Sequence, residues 1–238
     1  MDACLSEVAF VQKGTGKDLL LLHGYLSSKE AFAAQTAYFS KFYRVTAIDF
    51  LGFGNSAPLK TPFSVGDYAL WLKEVMHVLG VKQPHVIAHS FGCRVAIKAA
   101  AMFPDLFDKM VLTGPAGVIL RRGWRYRARV RLYRIVKAFA PKFAEKRFGS
   151  KEYRSLSPLM KESYKKIVNE DLRACAKRVQ NRTLIIQGKK DKTVREEEAL
   201  AYLDVFPWAK MKKIDGGHFA FAENPVVFNL MIEEFLYG

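Results

Sequence analysis

Ser90, Asp191 and His218 are the residue types that could together carry out acyl transfer, although they lie far apart along the chain. The serine stands in "VIAHSFG", Val86–Gly92, ahead of the helix-forming run "CRVAIKAAA". A hydroxyl is a poor core residue, so its place at the end of an apolar run needs a reason. Ala88 two residues before it and Gly92 two after leave room for a tight strand-to-helix elbow that lifts Ser90 into reach. Serine is a weak nucleophile until a base takes its proton. The base in turn needs a carboxylate to fix its tautomer and stabilise imidazolium. Both follow in the sequence. "LIIQGKKDKTV" places Asp191 just past an apolar run, in a Gly-x-x-Asp turn. "KKIDGGHFAF" places His218 past another run, behind two glycines that let the loop bend back. The helix after Ser90 points its positive end at the elbow, so the Phe91 N–H can donate to a developing oxyanion. "LLLLHGYLSS" offers a second donor, the Tyr25 N–H, on the turn after an early strand.

Such a site needs elements that bring these positions to one rim. Short apolar runs predict strands at Val8–Val11, Leu19–Leu22, Val45–Ile48, Val86–Ala88, Met110–Thr113, Leu184–Ile186 and Met211–Ile214. Ser64 and Asp67 form a capping-box pattern that opens a helix, with Val65, Tyr68, Ala69, Leu72, Met76 and Leu79 at helical spacing until Gly80. Further helices are expected at Phe91–Met102 and Glu196–Val205. Asn224-Pro225 starts a last one that buries Val227, Phe228, Met231, Ile232 and Phe235. Strands alternating with helices predict a mostly parallel α/β sheet covered on both faces. In such sheets, active groups gather at the carboxyl ends of strands. His23-Gly24, Asp49, Ser90, Asp191 and His218 all fall at such ends.

Half of the 238 residues are apolar, enough for one sizeable domain. Three widely spaced cysteines, Cys4, Cys93 and Cys175, fit free thiols in a reducing compartment. With no apolar run near the roughly 18 residues of a membrane span and no signal-peptide pattern at the start, a cytoplasmic location is expected. The net charge of +15 is concentrated. Residues 121–182 hold 20 of the 38 basic residues and 5 of the 23 acidic ones, leaving the remainder balanced at 18 against 18. In "RRGWRYRARVRLYRIVKAF" arginines alternate with apolar residues from Trp124 to Leu132. The longer face of Tyr126, Val130, Tyr133, Val136 and Ala140 favours a helix with snorkelling arginine stems. Further helices are expected at Leu159–Val168 and Asp171–Val179. The arginines could face water over an acyl pocket, lie on an anionic membrane, or bind an anionic substrate. Nucleic acid is the weakest partner, because no recognised binding motif accompanies them.

Taken in order, "LLHGY", "DFLGFGNS", "AHSFG", "GKKD" and "GGHFAFAENP" resemble the α/β-hydrolase fold superfamily, in its serine esterase/lipase-like branch, over nearly the whole chain. Ala88 departs from the glycine many members carry. The resemblance implies Ser90 as nucleophile, Asp191 as acid, His218 as base, and Tyr25 and Phe91 as oxyanion donors. It implies a core of residues 1–115 and 181–238 and a helical lid of 116–180 inserted between the sixth and seventh strands. No metal or organic cofactor is required. Cleavage of a small-molecule carboxylic ester or thioester through an acyl-enzyme is the first expectation. A carbon–carbon bond hydrolase of ring-cleavage products is the nearest alternative, although such relatives often carry a Gly-Pro-rich oxyanion loop and a tryptophan where Phe219 stands. A non-catalytic ligand-binding member of the fold is the other. Among the remaining residues, His89, Asp49 and Cys93 are expected to be structural. His23 is expected to shape the oxyanion loop, and His77 and His85 to lie on the surface. Asp215 competes with Asp191 only by its nearness to His218.

Overall fold

The computed structural model describes residues 5–120, 131 and 151–238. Seven strands form one sheet: β1 Phe10–Lys13, β2 Asp18–Leu22, β3 Arg44–Ile48, β4 His85–His89, β5 Met110–Thr113, β6 Thr183–Gly188 and β7 Ala209–Ile214. Their order is β1-β3-β2-β4-β5-β6-β7, with β1 antiparallel to β3 and every other pair parallel. Every residue of β2, β4, β5 and β6 is buried, as expected of strands covered on both faces.

The period of two divides the core between the faces. Leu20, Leu22, Val86, Ala88, Leu112 and Ile185 point to one side, towards α2 Val65–Val78 and α3 Phe91–Met102. Leu19, Leu21, Ile87, Val111, Leu184 and Ile186 point to the other. There they meet Phe32, Phe39 on α1 Ala33–Phe39, and Phe228 and Ile232 of the C-terminal helix Pro225–Tyr237. That helix buries the stripe Phe228, Ile232 and Leu236. Val227, expected inside, lies off this stripe and is 47% exposed.

The capping box of α2 is formed in full. Ser64 Oγ accepts from Asp67 N–H at 3.2 Å, and Asp67 Oδ2 accepts from Ser64 N–H at 2.7 Å. α3 begins and ends where its apolar spacing predicts. At the first strand, however, apolarity misleads. β1 begins at Phe10 and its residues are exposed, while the buried Val8 precedes it. An edge strand is chosen by its hydrogen-bonding partner, not by burial.

The inserted segment lies between β5 and β6, the fifth and sixth strands, and not between a sixth and seventh. Only five strands precede it, so a strand count taken from the resemblance runs one too high. The described part of the insertion contains α4 Lys151–Ser155, α5 Pro158–Val168 and α6 Arg173–Ala176. Of the arginine-rich helix expected around Tyr126–Ala140, Arg131 is described and is helical and exposed, and the rest falls outside the described residues. α6 is shorter than the expected Asp171–Val179. The Asp171 carboxylate accepts from the Arg173 and Ile119 amides, and Leu172 N–H bonds to Gly117 O, so these residues tie the end of the insertion to its start.

α5 is pinned to the sheet domain. Ser163 Oγ accepts from Phe63 N–H at 2.9 Å, and Lys166 Nζ donates to Pro62 O at 2.9 Å. Buried Arg94 of α3 donates to Ile167 O at 2.7 Å and Glu170 O at 3.0 Å. Among the described residues the remaining α-helices are α7 Glu196–Leu203, α8 Ala220–Glu223 and α9, the C-terminal Pro225–Tyr237. No helix of the described residues is long and apolar enough to cross a membrane.

Ser64→Ala removes one half of the capping box. It should cost about 1 kcal/mol, read as a lower urea midpoint with an unchanged slope. A midpoint equal to that of the unaltered chain would show that the cap contributes nothing.

Candidate active site

The parallel register aligns Leu22 with Ile48 and Ala88, and Thr113 with His89 and Ile186, so the carboxyl ends form one rim. Ser90 follows β4 there. Its backbone is held at φ 50°, ψ −104°, a conformation L-residues avoid. Such strain costs roughly 1–3 kcal/mol and persists only where neighbours impose it. Ser90 N–H bonds to Thr113 O at 3.1 Å, and Ser90 O accepts from Cys93 N–H at 3.2 Å. Gly92 brings α3 against the end of β2, where an added Cβ would lie 2.3 Å from Leu22 O.

Asp191 and His218 are brought together from β6 and β7. His218 Nδ1 and Asp191 Oδ2 are 2.7 Å apart. A carboxylate accepts, so Nδ1 carries the proton and Nε2 keeps its lone pair. The other oxygen, Oδ1, accepts from the Thr193 and Val194 amides at 2.8 and 3.0 Å. Burial raises the Asp191 pKa, but the His218 bond and these amides outweigh it and hold the carboxyl below its ordinary value. Asp215 is excluded as the partner. It is exposed and pairs with Lys189 at 2.9 Å.

Two further residues, Gly114 and Glu223, support this pair. Gly114, at φ +52°, makes room for it. A Cβ there would stand 3.1 Å from His218 Nδ1 and 3.2 Å from Asp191 Oδ2. Its signal was a glycine directly after a strand. Glu223 accepts from Gly217 N–H at 2.7 Å and anchors the loop carrying His218, with nothing in the sequence to mark it.

The loop after β2 approaches Ser90 from the opposite side. A Cβ on Gly24 would lie 3.5 Å from Ser90 Cβ. Ser27 N–H closes a turn onto Gly24 O at 3.3 Å, with Leu26 at φ 55°. His23 shapes this loop as expected. Its Nδ1–H donates to Gly24 O at 2.7 Å, so Nε2 accepts from Phe50 N–H at 3.0 Å. Burial lowers its pKa, favouring that neutral form. Neither Tyr25 N–H nor Phe91 N–H has an acceptor among the described residues. Ser90 Oγ likewise has none, His218 included.

The Tyr25 ring contacts Phe53, Phe91 and the Tyr164 ring of α5, with centroids 4.9, 5.6 and 5.3 Å away. Met160 packs on Gly52 nearby, so this side of the site is aromatic and apolar. Asp49 is structural. It is buried and accepts from Lys29 N–H, Lys29 Nζ and Asn55 N–H at 2.6, 2.9 and 2.9 Å. Burial pushes the Cys93 thiol up, and its Sγ donates to Ala88 O, so it offers no thiolate. Burial, then the neighbouring His218, push His89 down to about 3. His85, expected at the surface, is buried, with Nδ1 accepting from Lys109 N–H at 3.3 Å. Among the described residues, no group of three His, Cys, Asp or Glu side chains could hold a metal ion.

Residues 18–156 match the family model described as alpha/beta hydrolase fold. The chain is 27% identical over 256 residues to a 2-hydroxymuconate semialdehyde hydrolase of Pseudomonas putida, covering 94% of this chain and 88% of that one. Uncharacterized Mycobacterium tuberculosis proteins match at 32% identity over 110 residues, 46% of this chain. The aligned stretch spans only 32% of the length of those relatives. Among solved structures, a mutant of CumD, a meta-cleavage product hydrolase of Pseudomonas fluorescens, matches with a TM-score of 0.73 and 25% identity, covering 97% of this chain and 94% of that one. A bacterial membrane phospholipase A matches with a TM-score of 0.80 at 20% identity, covering 97% and 82%.

The lowered Asp191 pKa carries a sign. The ionised carboxylate stabilises the folded chain fully above its unfolded pKa, about 3.9. That contribution is lost as pH falls through the lower folded value. Stability below about pH 4 should therefore fall more steeply in the unaltered chain than in Asp191→Asn. Urea midpoints measured against pH check this, and parallel curves would contradict it.

Proposed function

The chain belongs to the alpha/beta-hydrolase fold family, and from that membership we propose a serine hydrolase that cleaves the bond beside a carbonyl through an acyl-enzyme. The observation that carries the reading is the 2.7 Å Asp191–His218 bond, formed at the same sheet rim as a serine strained to φ 50°. In this reading His218 Nε2 takes the Ser90 proton as Oγ attacks the carbonyl carbon. Asp191 stabilises the imidazolium that results. The Tyr25 and Phe91 amides donate to the oxyanion, and their fixed placement costs no reorganisation during the reaction. His218 then gives its proton to the leaving group. Water, activated by the same imidazole, releases the acyl group and restores Ser90. A rotation about the Ser90 side chain brings Oγ towards Nε2, since hydrogen bonds of this kind often tighten only with substrate bound.

The substrate class we infer is a carbon–carbon ring-cleavage product, ahead of a carboxylic ester. Support comes from the Pseudomonas putida semialdehyde hydrolase, which aligns with nearly the whole chain. In that reaction water adds across the bond beside the carbonyl. The carbonyl carbon leaves as a carboxylic acid, and the departing carbon gains a hydrogen. The aromatic wall of Tyr25, Phe53, Phe91 and Tyr164 suits a planar conjugated substrate.

A panel of conjugated ring-cleavage dienols and nitrophenyl esters tests both levels. Turnover of a dienol should exceed that of any ester in kcat/KM. Ser90→Ala should lose both activities by roughly 10³-fold or more and should not react with a fluorophosphonate. Better turnover of esters would replace the substrate class and leave the mechanism standing. An unreactive Ser90 in the unaltered chain would remove both.

A further inference from the structure

His89 directly precedes Ser90, and no step of the proposed reaction uses it. The residue is 1% exposed. Its Nε2 lies 2.9 Å from the main-chain oxygen of His218. A carbonyl only accepts, so Nε2 carries the proton and Nδ1 keeps a lone pair. That lone pair is buried with no hydrogen-bond partner. It faces Gly24, where an added Cβ would stand 2.7 Å from Nδ1. The Gly24 methylene therefore turns a C–H towards the nitrogen, a weak contact that any side chain at residue 24 would obstruct. One ring touches the backbone of the base at one nitrogen and the oxyanion loop at the other.

Packing alone does not account for a histidine here. Phe219 and Phe221 lie 5.0 and 4.8 Å from its ring centroid, and His218 lies 4.6 Å away. A phenylalanine of similar outline would fill this space without burying an unpaired nitrogen. What the imidazole adds is the donor to His218 O. The loop bearing His218 needs that hold. It passes through Gly216 and Gly217, where Lys190 N–H and Glu223 hold the main chain before His218 but not at it, and Asp191 grips only Nδ1 of the ring. A ring fixed at one atom can pivot about that bond. A second hold on the backbone of the same residue removes the pivot.

We propose that His89 is a positioning residue, which fixes the His218 carbonyl through Nε2–H and seats Gly24 against Nδ1, so that base, oxyanion loop and Ser90 are registered on one ring. The proposal rests on the Ser90–His218 reading above. It acts on the geometry of attack and not on substrate binding. A misplacement of about 1 Å costs about 10²-fold in rate.

The test measures fluorophosphonate labelling of Ser90 at increasing probe concentration, which separates the maximal rate from half-saturation. His89→Leu removes the donor. His89→Gln carries an amide nitrogen to about the place of Nε2, and His89→Asn stops short of it. The maximal labelling rate of His89→Leu should fall roughly 10- to 100-fold, with half-saturation within about threefold of the unaltered chain. His89→Gln should recover most of the rate, and His89→Asn should not. Equal rates in the Gln and Asn variants would overturn the proposal, and so would a Leu variant as fast as the unaltered chain. If His89→Leu does not fold, the Gln and Asn pair decides. Ser90→Ala runs alongside. Labelling that persists in it overturns the hydrolase reading and this proposal together. If Ser90→Ala is unlabelled and the His89 variants are all fast, only the positioning role falls.

Discussion

Helix α3 starts in contact with the last carbonyls of β2, and the geometry of the rim follows from that approach. The strand ends at His89 and the helix begins at Phe91, which leaves one residue to make the turn. One residue can reverse the chain that sharply only by leaving the β and α regions, and Ser90 does so. The sheet holds it there. Ser90 N–H is tied to β5 at Thr113 O, and Gly92 fits where no Cβ would. The strain is spread over contacts that exist for other reasons, namely a buried parallel sheet and a helix packed upon it. A serine on a surface loop would have no such support and would relax.

The loops around the elbow are held by buried polar groups, which makes them stiff. His23 joins Gly24 O to Phe50 N–H, and Asp49 gathers Lys29 and Asn55. Each is paired, as buried polar groups must be to offset their desolvation. Removing one member of a buried charged pair such as Lys29–Asp49 typically costs about 3–5 kcal/mol. The loops after β2 and β3 are therefore parts of one knot. That side of the site is then fixed by the fold itself.

Much of this was legible in the residues, for identifiable reasons. α3 and the capping box at Ser64 depend on local spacing and local hydrogen bonds, which a sequence displays directly. The gathering of Ser90, Asp191 and His218 at strand ends follows from parallel topology, and alternating elements announce that topology. What stayed hidden depends on contacts that no local sequence pattern marks. Glu223 holds Gly217 from the next helix, and Gly114 clears space for a pair 77 or more positions away. His85 looks like a surface residue until β5 and Lys109 are packed beside it. Val8 shows the opposite error, an apolar residue buried outside the strand it was expected to open. The placement implied by the resemblance counts one strand more than the five apolar runs that precede the insertion.

Tyr25 joins the two halves of the site. Its amide sits on the loop after β2, while its ring lies among Phe53, Phe91 and Tyr164, and its hydroxyl donates to Met160 O at 3.5 Å. Burial raises the pKa of that hydroxyl, so it stays protonated and able to donate. The helix that carries Met160 and Tyr164 is itself fixed by Ser163, Lys166 and Arg94, and Arg94 belongs to the helix that begins at the elbow. A closed circuit results, from elbow helix to α5, from α5 to Tyr25, and from Tyr25 back to the elbow through Phe91. α5 is thus a fixed wall of the site. A group that fills the aromatic space presses on Tyr25, whose amide has no acceptor among the described residues. Fit along the wall and the placement of the loop after β2 are linked through one side chain.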